Sequence, residues 1–191
     1  MRFTLRSLVA FLLVVSLAPL AAAPAVRAQT APPALTGVKA EVTRSIEDAE
    51  KKLIALAEKI PQEKYGWHPE GARTTSEVFM HVAAGNYGYS ALMGAPRAEG
   101  KTSAALSKIT DKEQVIQTLK DSFAYIKTAI ANVSDVEKIV KFRGNEATLR
   151  EAMVGAATHA HEHLGQLIAY ARTNGIVPPW SEEAPKPAAK P

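Results

Sequence analysis

The chain has 191 residues, contains no cysteine and carries a formal net charge of +4. This length fits one globular domain rather than two. The absence of cysteine excludes a disulfide framework and any thiolate chemistry by the protein's own side chains.

The first 28 residues have the features of a secretory signal peptide. Arg2 and Arg6 form a positive n-region, residues 8–20 form an apolar run, and Val26-Arg27-Ala28 gives a small-residue cleavage site before Gln29. An uncleaved membrane anchor is the alternative, which the shortness of the apolar run disfavours. We therefore expect a periplasmic or secreted protein that meets the membrane only through this segment.

Removal of the signal peptide changes the charge of the protein. Residues 1–28 contain three arginines and no acidic residue, so the formal net charge falls from +4 to +1. A nearly balanced chain lacks the basic surface that nucleic-acid binding requires, and we expect no nucleic-acid partner. The expected partner is a small-molecule substrate or ligand, and the sequence leaves a homodimer open.

The mature chain is predicted to contain one domain, over residues 37–180. A flexible lead-in over residues 29–36 precedes it, and a disordered tail rich in Pro, Ala, Lys and Glu over residues 181–191 follows it. The first helix is predicted over about residues 37–60 and ends before Pro61.

The other three helices each begin with a capping-box pattern, in which a threonine is followed by a glutamate three residues later. They are predicted to begin at Thr74, at Thr110 and near Thr148, and the last ends at Asn174-Gly175. Each helix carries apolar residues at helical spacing on one face. Strand signals are nearly absent, and only residues 138–142 have a β-like composition.

These segments predict an all-α fold, a four-helix bundle with a long connection between helices 2 and 3. Bundles of this kind place metal sites in the core, on facing helices. The connection covers about residues 93–109. It either crosses over the end of the bundle or shapes the mouth of a pocket.

Three histidines lie on the predicted inner faces. His159 and His163 are four residues apart on the fourth helix and therefore share a face, while His81 lies on the second. Buried imidazoles need partners for both ring nitrogens, and one metal ion would satisfy several at once. Three imidazoles with an open fourth position are typical of catalytic zinc sites. Hydrogen-bonded core histidines are the alternative interpretation.

Other polar residues near these histidines are weaker candidates. His161 lies about 200° around the helix from His159 and is predicted on the outer surface. His68 is predicted as a solvated loop residue, with a place at an entrance as the alternative. Glu77 could reach a metal but already serves in a capping box, and Gln166 could support His163. Ala160 replaces the glutamate that zincin proteases require, which argues against that mechanism.

The chain resembles the DinB-like superfamily of four-helix-bundle metalloproteins over about residues 38–179. The resemblance rests on His159-Ala160-His161-Glu162-His163-Leu164-Gly165-Gln166-Leu167 and on Tyr65-Gly66-Trp67-His68-Pro69 with the following helix. Leu164 stands where the family usually has Arg. The resemblance implies that His81, His159 and His163 bind a divalent metal, usually zinc or nickel. Some members use such a metal to activate low-molecular-weight thiols.

The expected function is an exported metal-binding protein, a metal-dependent hydrolase or transferase of unknown substrate. A bound divalent ion would lower the pKa of a water ligand and polarise a substrate oxygen or sulfur. The first alternative is a non-catalytic protein that binds metal or a small ligand. The second is a structural or interaction bundle with a vestigial site. Whether the protein is an enzyme is left open by the sequence.

Overall fold

The computed structural model describes residues 34–182. The predicted signal peptide, most of the predicted lead-in and residues 183–191 of the predicted tail lie outside the described residues. The described chain is mostly helical and includes a two-stranded antiparallel sheet, so the expectation of an all-α protein is broadly confirmed. Its elements are α1 (Gly37–Lys59), α2 (Thr75–Leu92), α3 (Ser103–Leu106), α4 (Lys112–Asn132), β1 (Ile139–Phe142), β2 (Asn145–Thr148), α5 (Leu149–Thr173) and α6 (Pro179–Glu182).

Side-chain caps begin three of the four long helices in residues 34–182, α2, α4 and α5, whereas α1 has none. Thr74 and Glu77 form both halves of the predicted capping box of α2, and the Thr148 hydroxyl accepts a hydrogen bond from the Glu151 amide at the start of α5. The predicted start of the third helix at Thr110 is wrong by one residue. Asp111 is the N-cap of α4, because its carboxylate accepts a hydrogen bond from the Gln114 amide at 3.0 Å.

The four long helices bury one apolar face each. Helix α1 packs against α4 and α5, and α2 packs against the same two helices. The faces predicted from helical periodicity supply most of the core, and large side chains in it are less than 2% exposed. They include Ile46, Leu53 and Leu56 of α1, Phe79 and Met80 of α2, and Leu119, Phe123, Ile126 and Ile130 of α4.

A β-hairpin precedes α5, and only its first strand was indicated by the sequence. Strands β1 and β2 pair antiparallel with Phe142 opposite Asn145. The two residues between them, Arg143 and Gly144, both have positive φ angles, as a type I′ turn requires. Strand β2 ends at Thr148, the N-cap of α5, so the hairpin leads directly into the helix that carries His159 and His163.

The long connection between α2 and α4 contains a short helix, α3, whose Leu106 is buried. Helix α3 packs against α2, and residues of this segment line a pocket described below. At the other end of the domain, α6 includes Ser181 and Glu182, so the first two residues of the predicted tail are helical. Among the helices of residues 34–182, none has the length and apolar character needed to cross a bilayer.

Candidate metal centre

The three predicted histidines lie together between α2 and α5. One ring nitrogen of each of His81, His159 and His163 lies within 4.8 Å of the others. The Nε2 atoms of His81 and His159 are 3.2 Å apart. A tetrahedral ion about 2.1 Å from each nitrogen would place the nitrogens about 3.4 Å apart. The cluster therefore needs to close by roughly 1.4 Å at most to hold one ion.

A chain of hydrogen bonds fixes the tautomer of His163. The hydroxyl of Tyr170 donates to the carbonyl of Arg73 at 3.2 Å, so it accepts from Gln166 Nε2 at 2.9 Å. This orients the Gln166 amide with its oxygen toward His163, where Nδ1 donates to it at 2.9 Å. Nε2 of His163 is then left with an unprotonated lone pair. A hydrogen bond of this kind on the distal nitrogen is typical of metal-ligating histidines.

His159 lies directly against Gly85 of α2. A Cβ atom built on Gly85 would lie 2.4 Å from Cε1 and 2.8 Å from Nδ1 of the His159 ring, so any larger residue would displace it. The Nδ1 atom is buried and has no hydrogen-bond partner among the described residues. The contact with His81 engages only Nε2 of this ring and leaves its Nδ1 unsatisfied. A metal ligand position at His159 would give the ring a stronger partner than another imidazole does.

The surroundings of the cluster favour neutral imidazoles. Burial, together with the positive charges of His163, His81, Arg143 and Arg73, lowers the pKa of His159 to about 4. Burial, followed by the Arg73 guanidinium and His163, also lowers the pKa of His81. Both rings are therefore neutral near pH 7, which is the protonation state that ligates metals.

A pocket of about 310 Å³ adjoins the cluster on the side of His81. It is lined by Arg73, Glu77, His81, Ser103, Ala104 and Ser107, and three of these residues belong to the connection between α2 and α4. The connection therefore shapes a pocket mouth, one of the two roles that the sequence allowed. A small molecule in this pocket would lie beside the histidines.

The profile of the DinB superfamily matches residues 45–167. The chain belongs to the DinB superfamily. This family binds metals in general, and the matched residues include all three clustered histidines. A search of curated proteins found no match.

The remaining candidates of this DinB chain fall outside the cluster. His161 is partly buried rather than on the outer surface, because its Nε2 lies 3.0 Å from the carbonyl oxygen and 3.2 Å from the hydroxyl of Ser45 on α1. His68 is exposed, and its Nδ1 contacts the carbonyl of Pro69, as expected of a loop residue. Glu77 is held in its capping box by Thr74, and this interaction lowers the pKa of its carboxyl group.

Several residues that shape the DinB site were not predicted as site residues. Gly85 contacts the ring of His159, and Tyr170 contacts Gln166, the hydrogen-bond partner of His163. Tyr89 lies with its ring 5.8 Å from that of His159, and its hydroxyl accepts a hydrogen bond from Arg143 at 3.2 Å. A glycine in the middle of a helix lowers helix stability by about 1 kcal/mol relative to alanine. A glycine at position 85 therefore indicates a packing role that a larger residue could not fill.

Proposed function

We propose that this protein is an exported metalloprotein of the DinB superfamily in which His81, His159 and His163 hold one divalent ion, zinc or nickel. The observation that carries the proposal is the convergence of three imidazoles from two helices within 4.8 Å. The mutual packing of α1, α2, α4 and α5 supports the four-helix bundle that we propose as the frame of the site. Imidazole suits both zinc and nickel as a ligand.

The donor set fits a divalent ion. His163 presents an unprotonated Nε2, because Gln166 accepts the proton of Nδ1. His159 has a buried ring whose Nδ1 lacks a partner among residues 34–182, and its low pKa keeps it neutral. No carboxylate joins the cluster within the described residues, so a bound ion would keep one or more positions for water or substrate.

The chemistry that we propose is metal-dependent hydrolysis or group transfer on a small molecule. A divalent ion, when bound, supplies Lewis acidity toward water and substrate oxygen or sulfur. The chain contributes the rest: Gly85 admits the His159 ring, Gln166 orients His163, and the pocket beside His81 receives the substrate. Arg73 and Glu77 are the charged side chains that line this pocket.

Export is part of the proposal and rests on the sequence of residues 1–28. The proposal is supported by Arg2, Arg6, the apolar run over residues 8–20 and the small residue before Gln29, which together form the pattern of a cleaved signal peptide. We propose a periplasmic or secreted location for the mature protein.

A non-catalytic protein that binds metal or a small ligand is the second candidate. The observation in its favour is that Glu77, the carboxylate lining the pocket, is engaged by the amide and hydroxyl of Thr74 at 2.8 and 3.0 Å. These hydrogen bonds lower the pKa of the Glu77 carboxyl, and a less basic carboxylate is a weaker general base. A structural bundle with a vestigial site is the third candidate and would bind no metal.

Metal analysis followed by activity assays tests these candidates. The mature protein, purified without an affinity tag, should contain about one equivalent of zinc or nickel. The metal-loaded protein should then turn over a member of a panel of esters, phosphoesters and thiols. Metal without turnover of any of them would favour the binding protein. Protein that neither contains metal nor takes it up would contradict the proposal and favour the structural bundle.

A further inference from the structure

The pocket beside His81 contains an arginine whose guanidinium has no hydrogen-bond partner among residues 34–182. Arg73 lines the pocket from the loop before α2 and is exposed. Its guanidinium makes no hydrogen bond or ion pair with any residue in the part of the chain that the structure describes. Its carbonyl, in contrast, is fixed by Tyr170, so the backbone from which this side chain projects is held in place.

The acidic residue of the pocket interacts with Arg73 through its charge, because the Arg73 guanidinium helps to lower the pKa of the Glu77 carboxyl, but no hydrogen bond joins the two side chains within residues 34–182. Oε2 of Glu77 accepts hydrogen bonds from both the amide and the hydroxyl of Thr74, which turn the carboxylate toward the start of α2. The pair Arg73 and Glu77 contributes no net formal charge to the pocket. Within the described residues, the Arg73 guanidinium nonetheless keeps N–H donors that could bind a ligand.

A bound ion would make this region positive. Three neutral imidazoles leave the charge of a divalent cation uncompensated by its ligands, because no carboxylate joins the described cluster, and the carboxylate of Glu162 acts on His81 only through its charge. The triad and the pocket together would then carry a formal charge of +2. A second guanidinium, that of Arg143, lies on the His159 side and is held by the hydroxyl of Tyr89. The open side of the site therefore favours an anion.

The size and lining of the pocket restrict the size and chemical group of the anion. A volume of about 310 Å³ lies at the lower end of the range for small-molecule sites, roughly 300–1,000 Å³. Ser103 and Ser107 lie on the wall of the pocket, and the Ser107 hydroxyl donates to the carbonyl of Ala104. Arginine presents paired donors that match a carboxylate, and the Ser103 hydroxyl can donate to the same group.

We propose that the pocket binds a small carboxylate-bearing substrate, with its carboxylate on Arg73 and a second donor atom directed toward the three histidines. This proposal rests on the proposed function, since the second donor needs a bound ion. It assigns Arg73 a role in substrate binding, and it names carboxylates as the substrate class of the site.

Two probes that differ in one charge test the proposal on cobalt-loaded protein. Succinate carries two carboxylates, one for the ion and one for Arg73, whereas succinamate retains a single carboxylate and replaces the other by an amide. Each is titrated while the visible absorption of Co²⁺ is recorded. Succinate should bind roughly fivefold more tightly, as expected for one exposed ion pair of about 1 kcal/mol.

Two matched variants assign the preference to the pocket. Arg73→Gln should reduce the succinate preference to about one, with the cobalt spectrum of the unliganded protein unchanged. Arg44→Gln removes another exposed arginine, from α1 and outside the pocket, and should keep the preference of the wild type.

The outcomes separate this proposal from the proposed function. Equal affinities for the two probes in the wild type, or a preference that survives in Arg73→Gln, would overturn the carboxylate proposal while leaving the metal site intact. Failure of Co²⁺ to bind through the three histidines would contradict the proposed function and this proposal together.

Discussion

Gln166 Oε1 accepts a hydrogen bond from His163 Nδ1 at 2.9 Å, and this contact determines which nitrogen of the imidazole carries the proton. Gln166 is itself oriented by the Tyr170 hydroxyl. The protonation pattern of one candidate ligand is thus set by residues one and two turns further along the same helix.

Gln166→Leu should weaken zinc affinity by about 10- to 100-fold, because the protonated nitrogen of His163 is no longer specified. The measurement is a competition titration against a chromophoric chelator. Gln117→Leu, on the exposed face of α4, removes a comparable side-chain amide far from the site and should leave the affinity unchanged. An affinity equal to that of the wild type in Gln166→Leu would show that the tautomer is fixed by other means.

Gly85→Ala should abolish tight metal binding in a folded protein. The new methyl group would lie 2.4 Å from Cε1 of His159, so the ring must leave the cluster. Gly88→Ala is the matched control on the same helix, because a Cβ there meets nothing within 4 Å. We expect the control to bind metal normally and to gain up to about 1 kcal/mol in unfolding free energy from helix propensity. Equal metal affinity in both variants would contradict the close contact between Gly85 and the His159 ring.

Replacing any of the three clustered histidines by alanine should lower metal affinity sharply, whereas His161→Ala should not. His161 contacts Ser45 on α1 instead of the cluster. Its loss should cost about 1 kcal/mol of stability from the broken hydrogen bond. Isothermal titration with zinc and urea unfolding measure the two effects separately. A loss of affinity in His161→Ala as large as that in His163→Ala would show that the metal site is formed by a different face of α5.

The stability of the metal-free protein should decrease on acidification below pH 6.5. The pKa of His159 is about 4 in the folded state and about 6.5 in the unfolded state, so the unfolded chain binds more protons between these values. The unfolding free energy should fall by an amount on the order of 2 kcal/mol across this window and then level off. Chemical unfolding with a chelator present measures this, and His159→Asn should flatten the curve.

Added zinc or nickel should stabilise the protein at pH 7.5 and much less at pH 5, because protons compete with the ion for imidazole. At a hundred times the dissociation constant the gain at pH 7.5 is about 2.7 kcal/mol. Thermal melts with and without metal at both pH values provide the comparison. A metal-induced shift of the same size at pH 5 would point to carboxylate ligation and bring Glu77 forward.

Mature protein recovered from the source cell should begin at Gln29. N-terminal sequencing or intact mass identifies the first residue. Replacement of Arg2 and Arg6 by glutamate should retain the full-length precursor inside the cell, because the positive n-region is lost. Mature protein that still begins at Met1, or protein confined to the cytosol, would contradict export and cleavage.

The spacing of apolar residues in the sequence predicts the buried faces of the helices. Val115, Leu119 and Phe123 of α4 are spaced at helical period, and each is fully buried. The same argument placed His81, His159 and His163 on facing stripes, and the structure brings these residues together. Periodicity succeeds here because burial of an apolar face dominates the energetics of helix packing.

The hairpin and the contacts around the histidine rings were not predictable in this way. Strand β2 has the sequence Asn-Glu-Ala-Thr, with little β-branched or aromatic content, and becomes a strand because it pairs with β1 and docks against the helices. Phe142 of β1 packs over Gly155 of α5. Helical periodicity predicts the faces of one helix and carries no information about a contact between two elements. The partial burial of His161 depended on α1 lying beside that face of α5, which required tertiary information.

The close approach of α2 to the His159 ring gives a criterion for other chains of the superfamily. Gly85 follows His81 by four residues, and the space above its Cα is filled by the His159 imidazole. A relative with any other residue at the equivalent position must place its counterpart of His159 in a different rotamer or draw α2 and α5 apart. A glycine four residues after the first histidine thus marks sequences that can adopt this arrangement of rings. Sequences that keep the three histidines but lack this glycine cannot adopt the same arrangement.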